Sequence, residues 1–302
     1  MAAPAKRRPR PRWPRRAAWA GAAAVAVLHM GGSGASELHL AFFQLLTRDH
    51  RPARVACLGD SHTRGVLGAP WVRALQSRLQ IPCDNHGRDG ETAGCMLQRA
   101  HKLKPAEYGV ILAGTNDAVL ELASRAGNTG LVKMYTRQSR LPADYKPSVA
   151  AFGSTFRSLL KAMPARVVVV ASLPPLGEAA DGDAADLIVS YNDEIRAAVQ
   201  EAPNAVYAPF GEALRPRLTS RGQPFDASQE GFSRVVRDLA AHRALRGLPF
   251  GPSYGAIARL RGREVLHDQV HLTESSSAAL VNALTGAFAK AGLSGGGGGR
   301  GP

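Results

Sequence analysis

The feature that most limits how this chain can fold is a set of short apolar runs with no polar alternation. Val167-Val168-Val169-Val170, within residues 166–172, is the plainest of them. Tyr108-Gly109-Val110-Ile111-Leu112-Ala113 is the longest and ends at Gly114, and Arg54-Val55-Ala56-Cys57-Leu58 is a third. A strand with one face in water alternates apolar and polar residues, whereas a run that is apolar throughout is buried on both faces. Such strands need helices on each side, and helical patterns lie between the runs. Val72, Leu75 and Leu79 share one helical face. Pro147 and Ser148 open a segment whose face carries Val149, Phe152, Phe156, Leu159, Leu160 and Met163. Leu187, Ile188, Tyr191 and Ile195 repeat the pattern, and Ser275 and Ser276 stand where they can cap a last helix bearing Leu280, Leu284 and Phe288. Asn204-Ala205-Val206-Tyr207 and Ile81-Pro82-Cys83-Asp84 are weaker strands, and the proline puts the latter at an edge or a strand start. The expected fold class is α/β, a three-layer α/β/α sandwich around a mostly parallel sheet of about five strands.

The 302 residues divide unevenly. Residues 1–36 have the layout of a targeting segment: a basic stretch to Arg16, an apolar, Ala-rich stretch from Ala17 to Met30, then small residues to Ser36. This reads as a signal peptide or a signal anchor and implies a secreted or membrane-anchored extracytoplasmic protein. An Arg-rich organellar transit peptide is the alternative. Residues 37–294 form the folded domain, with Glu37–Arg48 a short helix leading into it, and residues 295–302 are a Gly-rich tail. The net charge of +14 is concentrated at the start, where seven basic residues fall within the first sixteen, leaving +7 for the rest. That remainder shows no basic stripe interleaved with aromatics, so no nucleic-acid partner is implied. Membrane association is assigned to the N-terminal segment. Cys57, Cys83 and Cys95 lack metal-ligand spacing.

Four blocks carry the chemistry. Gly59-Asp60-Ser61 follows the first strand, so a serine sits at the carboxyl edge of the sheet, where ligands bind in such folds. Asn85-His86-Gly87-Arg88-Asp89-Gly90-Glu91-Thr92 follows the second strand, Gly114-Thr115-Asn116-Asp117 the third, and Asp268-Gln269-Val270-His271 precedes the last helix. Each block alone is also ordinary turn chemistry. An ester-cleaving serine, however, needs a base for its proton, a group to orient that base, and donors for the oxyanion. Asp268 and His271 are three residues apart, close enough for the carboxylate to hold the imidazole. Asn116 offers a neutral amide donor, and Gly90 an N–H with no side chain in the way.

In this order the blocks resemble the GDSL, or SGNH, hydrolase family of esterases and lipases, over about residues 53–290. The resemblance implies Ser61 as nucleophile, His271 as general base and Asp268 as its orienting partner. It implies an oxyanion hole from the Ser61 N–H, the Gly90 N–H and the Asn116 side chain; Gly90 is preferred to Gly87 because Gly90-Glu91-Thr92 is similar to the family's Gly-Asp-Thr. His62 stands at the leucine of the name-giving motif and is expected to be a partly exposed neighbour of the nucleophile. The implied function is a serine esterase acting on a small-molecule, carbohydrate or lipid ester, with no cofactor and no metal. An acyltransferase on the same scaffold and a non-catalytic binding protein are the alternatives.

Two further features suggest other sites. Gly251-Pro252-Ser253-Tyr254-Gly255 matches a nucleophile elbow, but the elbow needs a strand before its serine, and Arg246-Gly247-Leu248-Pro249-Phe250 has no strand pattern. His267 and His271 have the spacing of a metal pair without a third ligand. Residues 120–146 and 210–262 fit no short connection and are expected to be substrate-setting loops.

Overall fold

The computed structural model describes residues 55–138 and 146–293. The N-terminal segment, the helix expected over Glu37–Arg48 and the Gly-rich tail lie outside the described residues.

Five strands form one wholly parallel sheet: β1 (Val55–Gly59), β2 (Cys83–Gly87), β3 (Ala106–Leu112), β4 (Ala165–Ala171) and β5 (Ala205–Ala208), in the order β2-β1-β3-β4-β5. Val55 pairs with Cys83 on one side and Tyr108 on the other; Val110 pairs with Val169, and Val169 with Val206. The valine run explains the middle of the sheet. Val168, Val169 and Val170 are wholly buried, and each such side chain removed from water contributes about 1.5–3 kcal/mol.

Right-handed crossovers decide where the helices go. The chain steps outward from β1 to β2 through α1 (Ser61–Arg64) and α2 (Trp71–Leu79). It then reverses past β1 to β3 through α3 (Ala93–Ala100). From β3 to β4 it runs through α4 (Thr115–Arg125), α5 (Thr129–Gln138) and α6 (Val149–Ala162), and from β4 to β5 through α7 (Asp183–Glu201). After β5 come α8 (Phe210–Leu214), a single 3-10 turn, α9 (Gln229–Arg246), α10 (Tyr254–Leu260) and α11 (Glu274–Lys290). Helices α3, α6 and α7 pack side by side, as do α2 and α11. The reversal makes the carboxyl ends of β1 and β3 a switch point, the crevice where open α/β sheets bind ligands.

Three expectations shift. β2 begins at Cys83 and takes in Asn85, His86 and Gly87, which the sequence placed after the strand. As an edge strand it needs no apolar run, and Asn85 secures it by donating to the Thr63 carbonyl at 2.7 Å and accepting from the Gly87 N–H. The cap of α11 is Thr273, whose hydroxyl accepts from the Ser276 N–H, so Ser275 and Ser276 lie inside the helix. The hydrogen bond from the Thr273 N–H to the Val265 carbonyl fixes that boundary. Ser148 does cap α6, accepting from the Ala151 N–H. Finally, the two long segments are largely helical, and Asn128 ties them together: its amide donates to the Ala227 carbonyl at 3.1 Å and its oxygen accepts from the Leu131 N–H. Among the described residues no helix is long and apolar enough to cross a membrane.

Candidate active site

Ser61 opens α1 directly after β1 and is 6 % exposed. Asp60 caps that one-turn helix by accepting from the His62 N–H at 2.9 Å. Gly87 lets the end of β2 press against the turn, since a Cβ there would lie 2.0 Å from the Arg64 nitrogen.

The partner groups come from a tight hairpin before α11. Leu266 bridges Leu272, the His267 N–H donates to the His271 carbonyl, and Gln269 at the tip takes a φ of +77°. Asp268 Oδ1 accepts from the Val270 and His271 N–H groups, at 3.0 and 2.6 Å. Its other oxygen is 2.6 Å from His271 Nδ1, and His271 Nε2 is 3.0 Å from Ser61 Oγ. With Asp268 ionised, Nδ1 carries the proton and Nε2 accepts from the serine O–H. The structure thus joins Ser61, His271 and Asp268 in one buried chain of hydrogen bonds.

Electrostatics favour that arrangement. Burial alone would raise the Asp268 carboxyl, but the imidazoles of His271 and His267 and the hydrogen bonds from His271 hold it far below its ordinary value. Burial pulls His271 down, and the charge and hydrogen bond of Asp268 more than offset this, so its pKa is raised. Neighbouring rings behave otherwise. His62 is buried, not partly exposed: burial, then the charge of His271, push its pKa down to about 3, and neither ring nitrogen has a hydrogen-bond partner among the described residues. Motif position could not disclose this, because the His271 ring of the hairpin meets His62 only in three dimensions. Burial likewise lowers His267 to about 4.

Asn116 lies in the first turn of α4, just past β3. Its amide nitrogen donates to the Glu91 carbonyl at 2.9 Å and to Asp60 Oδ2 at 3.2 Å, and its oxygen accepts from the Tyr135 hydroxyl at 2.8 Å. It therefore spans the residue before Ser61 and the residue after Gly90, with both amide hydrogens engaged. Gly90 takes a φ of +70°, which suits glycine. Among the described residues neither the Ser61 nor the Gly90 N–H meets a protein acceptor. Burial raises Asp60 to about 7 and Asp117, which accepts from the Ala93 N–H, to about 6.

Several supports were not evident from the sequence. Glu178 is buried and accepts from the Val265 and Leu266 N–H groups, anchoring the hairpin. Arg99 grips Glu91 with two nitrogens and donates to the His86 carbonyl, fixing the loop beside Gly90. Tyr135 and Glu178 belong to no motif, and only the Gly90-Glu91-Thr92 block hinted at Glu91. Ser253 caps α10 by accepting from the Ala256 N–H and follows a helix and a turn, so the elbow geometry is absent. Donor atoms of His267, Asp268 and His271 lie within 4.8 Å of one another, yet each of these residues is already engaged by protein partners. Cys57, Cys83 and Cys95 form no disulfide among the described residues.

The model of the GDSL-like Lipase/Acylhydrolase family matches residues 57–279. No curated protein matches the sequence. The fold is similar to two variants of Axe2, an acetylxylan esterase from Geobacillus stearothermophilus. One, a catalytic mutant, aligns with a TM-score of 0.50 at 13% identity, over 78% of this chain and 93% of that one. The other aligns with a TM-score of 0.50 at 16% identity, over the same shares. At such identities the likeness shows the fold.

Proposed function

The chain belongs to the GDSL-like lipase/acylhydrolase family of ester-bond hydrolases, and from that premise we propose that it is a serine esterase working through an acyl-Ser61 intermediate. The observation that supports this most is the unbroken run from Asp268 through His271 to Ser61 Oγ. In this mechanism Oγ attacks the ester carbonyl while Nε2 takes its proton. The C–O bond to the alcohol breaks, and the alcohol leaves with that proton. Water then attacks the acyl-serine, His271 accepting a proton from it and returning one to Oγ as the acid departs. Asp268, ionised throughout, favours the imidazolium that forms in each half.

The negative charge on the carbonyl oxygen needs donors already in place. The Ser61 and Gly90 N–H groups, both without protein acceptors among the described residues, fit that role. Asn116 supplies the third donor by trading its longer bond, to Asp60, for the oxyanion. The substrate class is a short acyl or acetyl ester on a carbohydrate or a lipid, bordered by the helices of residues 120–138 and 210–262.

The test compares the full chain with Ser61→Ala on p-nitrophenyl esters of increasing acyl length, with a fluorophosphonate probe added to each. Turnover and labelling in the parent, both lost in the variant, are the expected result. Labelling that persists in Ser61→Ala would refute the assignment.

A further inference from the structure

The corner between α9 and α10 holds apolar side chains in water. Leu245 is 42 % exposed, Leu248 57 %, and Phe250 fully so, all within six residues. A single exposed leucine is unremarkable, but a cluster at a tip marks an interaction site. Phe250 also has a φ of +63°, a left-handed conformation that a bulky residue seldom adopts. The strain gains no packing within the chain. The turn that imposes it is built, not loose: the Gly251 N–H donates to the Leu248 carbonyl at 2.9 Å, and the Leu248 N–H to the Leu245 carbonyl.

Charge identifies the occupant. From the start of α9 to Arg261, residues 229–261 hold six arginines against Glu230 and Asp238, a net charge of +4. Arg246 lies over the Tyr254 ring at the base of the tip, and Leu260, also exposed, is followed by Arg261 at the far end of α10. A protein partner needs roughly 800 Å² of shaped surface from each side, far more than three side chains at a turn present. An anionic bilayer needs only what is here, apolar side chains to enter the headgroup boundary and cations to meet the lipid phosphates.

We propose that the α9–α10 tip is a docking surface for anionic membranes, with Leu248 and Phe250 inserting and the surrounding arginines binding the headgroups. The tip is mechanically continuous with the hairpin of Asp268 and His271. His242 of α9 meets His267 Nδ1 to Nδ1 at 2.8 Å, Tyr254 stacks on the His267 ring at 4.3 Å, and Arg263 links Asp238 of α9 to the His267 carbonyl. Docking therefore fixes the height of the hairpin above the lipid. The proposal does not depend on the roles assigned to Ser61 and His271.

The experiment measures partition of the full chain and of Leu248→Glu/Phe250→Glu onto phosphatidylcholine vesicles with and without phosphatidylserine. Phe250→Trp reports insertion through its emission above the parent's background and its quenching by brominated acyl chains. With about fivefold gained per basic residue near an anionic surface, the parent should favour the phosphatidylserine vesicles at least tenfold. The double substitution should lower that partition about tenfold with an unchanged melting temperature. Phe250→Trp should shift to the blue and be quenched. Equal partition of parent and double variant, indifference to phosphatidylserine, or no quenching of Trp at 250 would each overturn the proposal. So would a lipid-free dimer that the double substitution dissolves, which would assign the tip to a second copy. If the double variant melts early, the tryptophan signal alone decides.

Discussion

His62→Leu should make this protein more stable, and by an amount that grows in acid. The ring is buried against His271, their centroids 5.7 Å apart, with both nitrogens unpartnered among the described residues. A neutral imidazole buried that way leaves one donor and one acceptor unmet, at about 1–3 kcal/mol of lost stability. Leucine has a similar volume and no polar atom, so that cost should disappear at pH 8 with little change in packing. A second contribution follows from protonation. His62 has a pKa of about 3 in the folded chain against 6.5 ordinarily. Because the folded value is depressed, stability is full above the ordinary value and is lost as pH falls toward the folded one. Between those limits the unfolded chain gains a proton that the folded chain refuses, costing about 1.4 kcal/mol per pH unit, hence about 2 kcal/mol at pH 5. The variant should therefore exceed the parent by about 1–3 kcal/mol at pH 8 and about 3–5 kcal/mol at pH 5. Urea unfolding of both proteins at the two pH values measures it. A gain that does not change between pH 8 and pH 5 would refute the buried neutral ring, and a loss at pH 8 would mean that its nitrogens have partners.

The remaining predictions concern the site and its supports. Because the His271 pKa is raised and only the neutral ring can accept the serine proton, kcat/KM should climb with pH along a limb centred above 6.5; a limb below 6.5 would contradict the pairing with Asp268. Asn116→Ala should cut kcat about a hundredfold while leaving KM nearly unchanged, the signature of a donor used only in the transition state, and steady-state kinetics on a soluble ester would show a KM effect instead if the amide merely shaped the cleft. Arg99→Met should destabilise the fold by about 3 kcal/mol, since it leaves the buried Glu91 carboxylate with only the largely exposed Arg88, 3.7 Å away, as a cationic partner; an unchanged denaturation midpoint would show that water reaches Glu91.

The sheet was legible because burial on both faces writes itself as unbroken apolar runs, and Val167–Val170 cannot be mistaken for a surface strand. β2 was blurred for the converse reason: at the edge, Asn85 and His86 satisfy the strand with polar bonds that look like loop chemistry. The proposed site could be read wherever its parts are close in sequence, as with Asp268 and His271. Supports that act across the fold, such as Glu178 beneath the hairpin and Tyr135 behind Asn116, leave no local trace. The cap of α11 was misplaced because Thr273, Ser275 and Ser276 are chemically equivalent candidates, and a tertiary hydrogen bond to Val265 decides among them. Helix α9 escaped notice because it is mostly wet, with only Gly231, Val235 and His242 buried.

The bond between Ser61 and His271 joins residues 210 positions apart. During synthesis the five strands leave the ribosome, from Val55 to Ala208, well before the hairpin does. For that interval the nascent chain carries Ser61 without His271, on a sheet that still lacks α11. On the proposed mechanism esterolytic competence is acquired in a single late event, and a chain interrupted anywhere before Asp268 should be silent in an ester assay. A serine-directed probe that needs the activated nucleophile would read not just presence of the protein but completion of its fold.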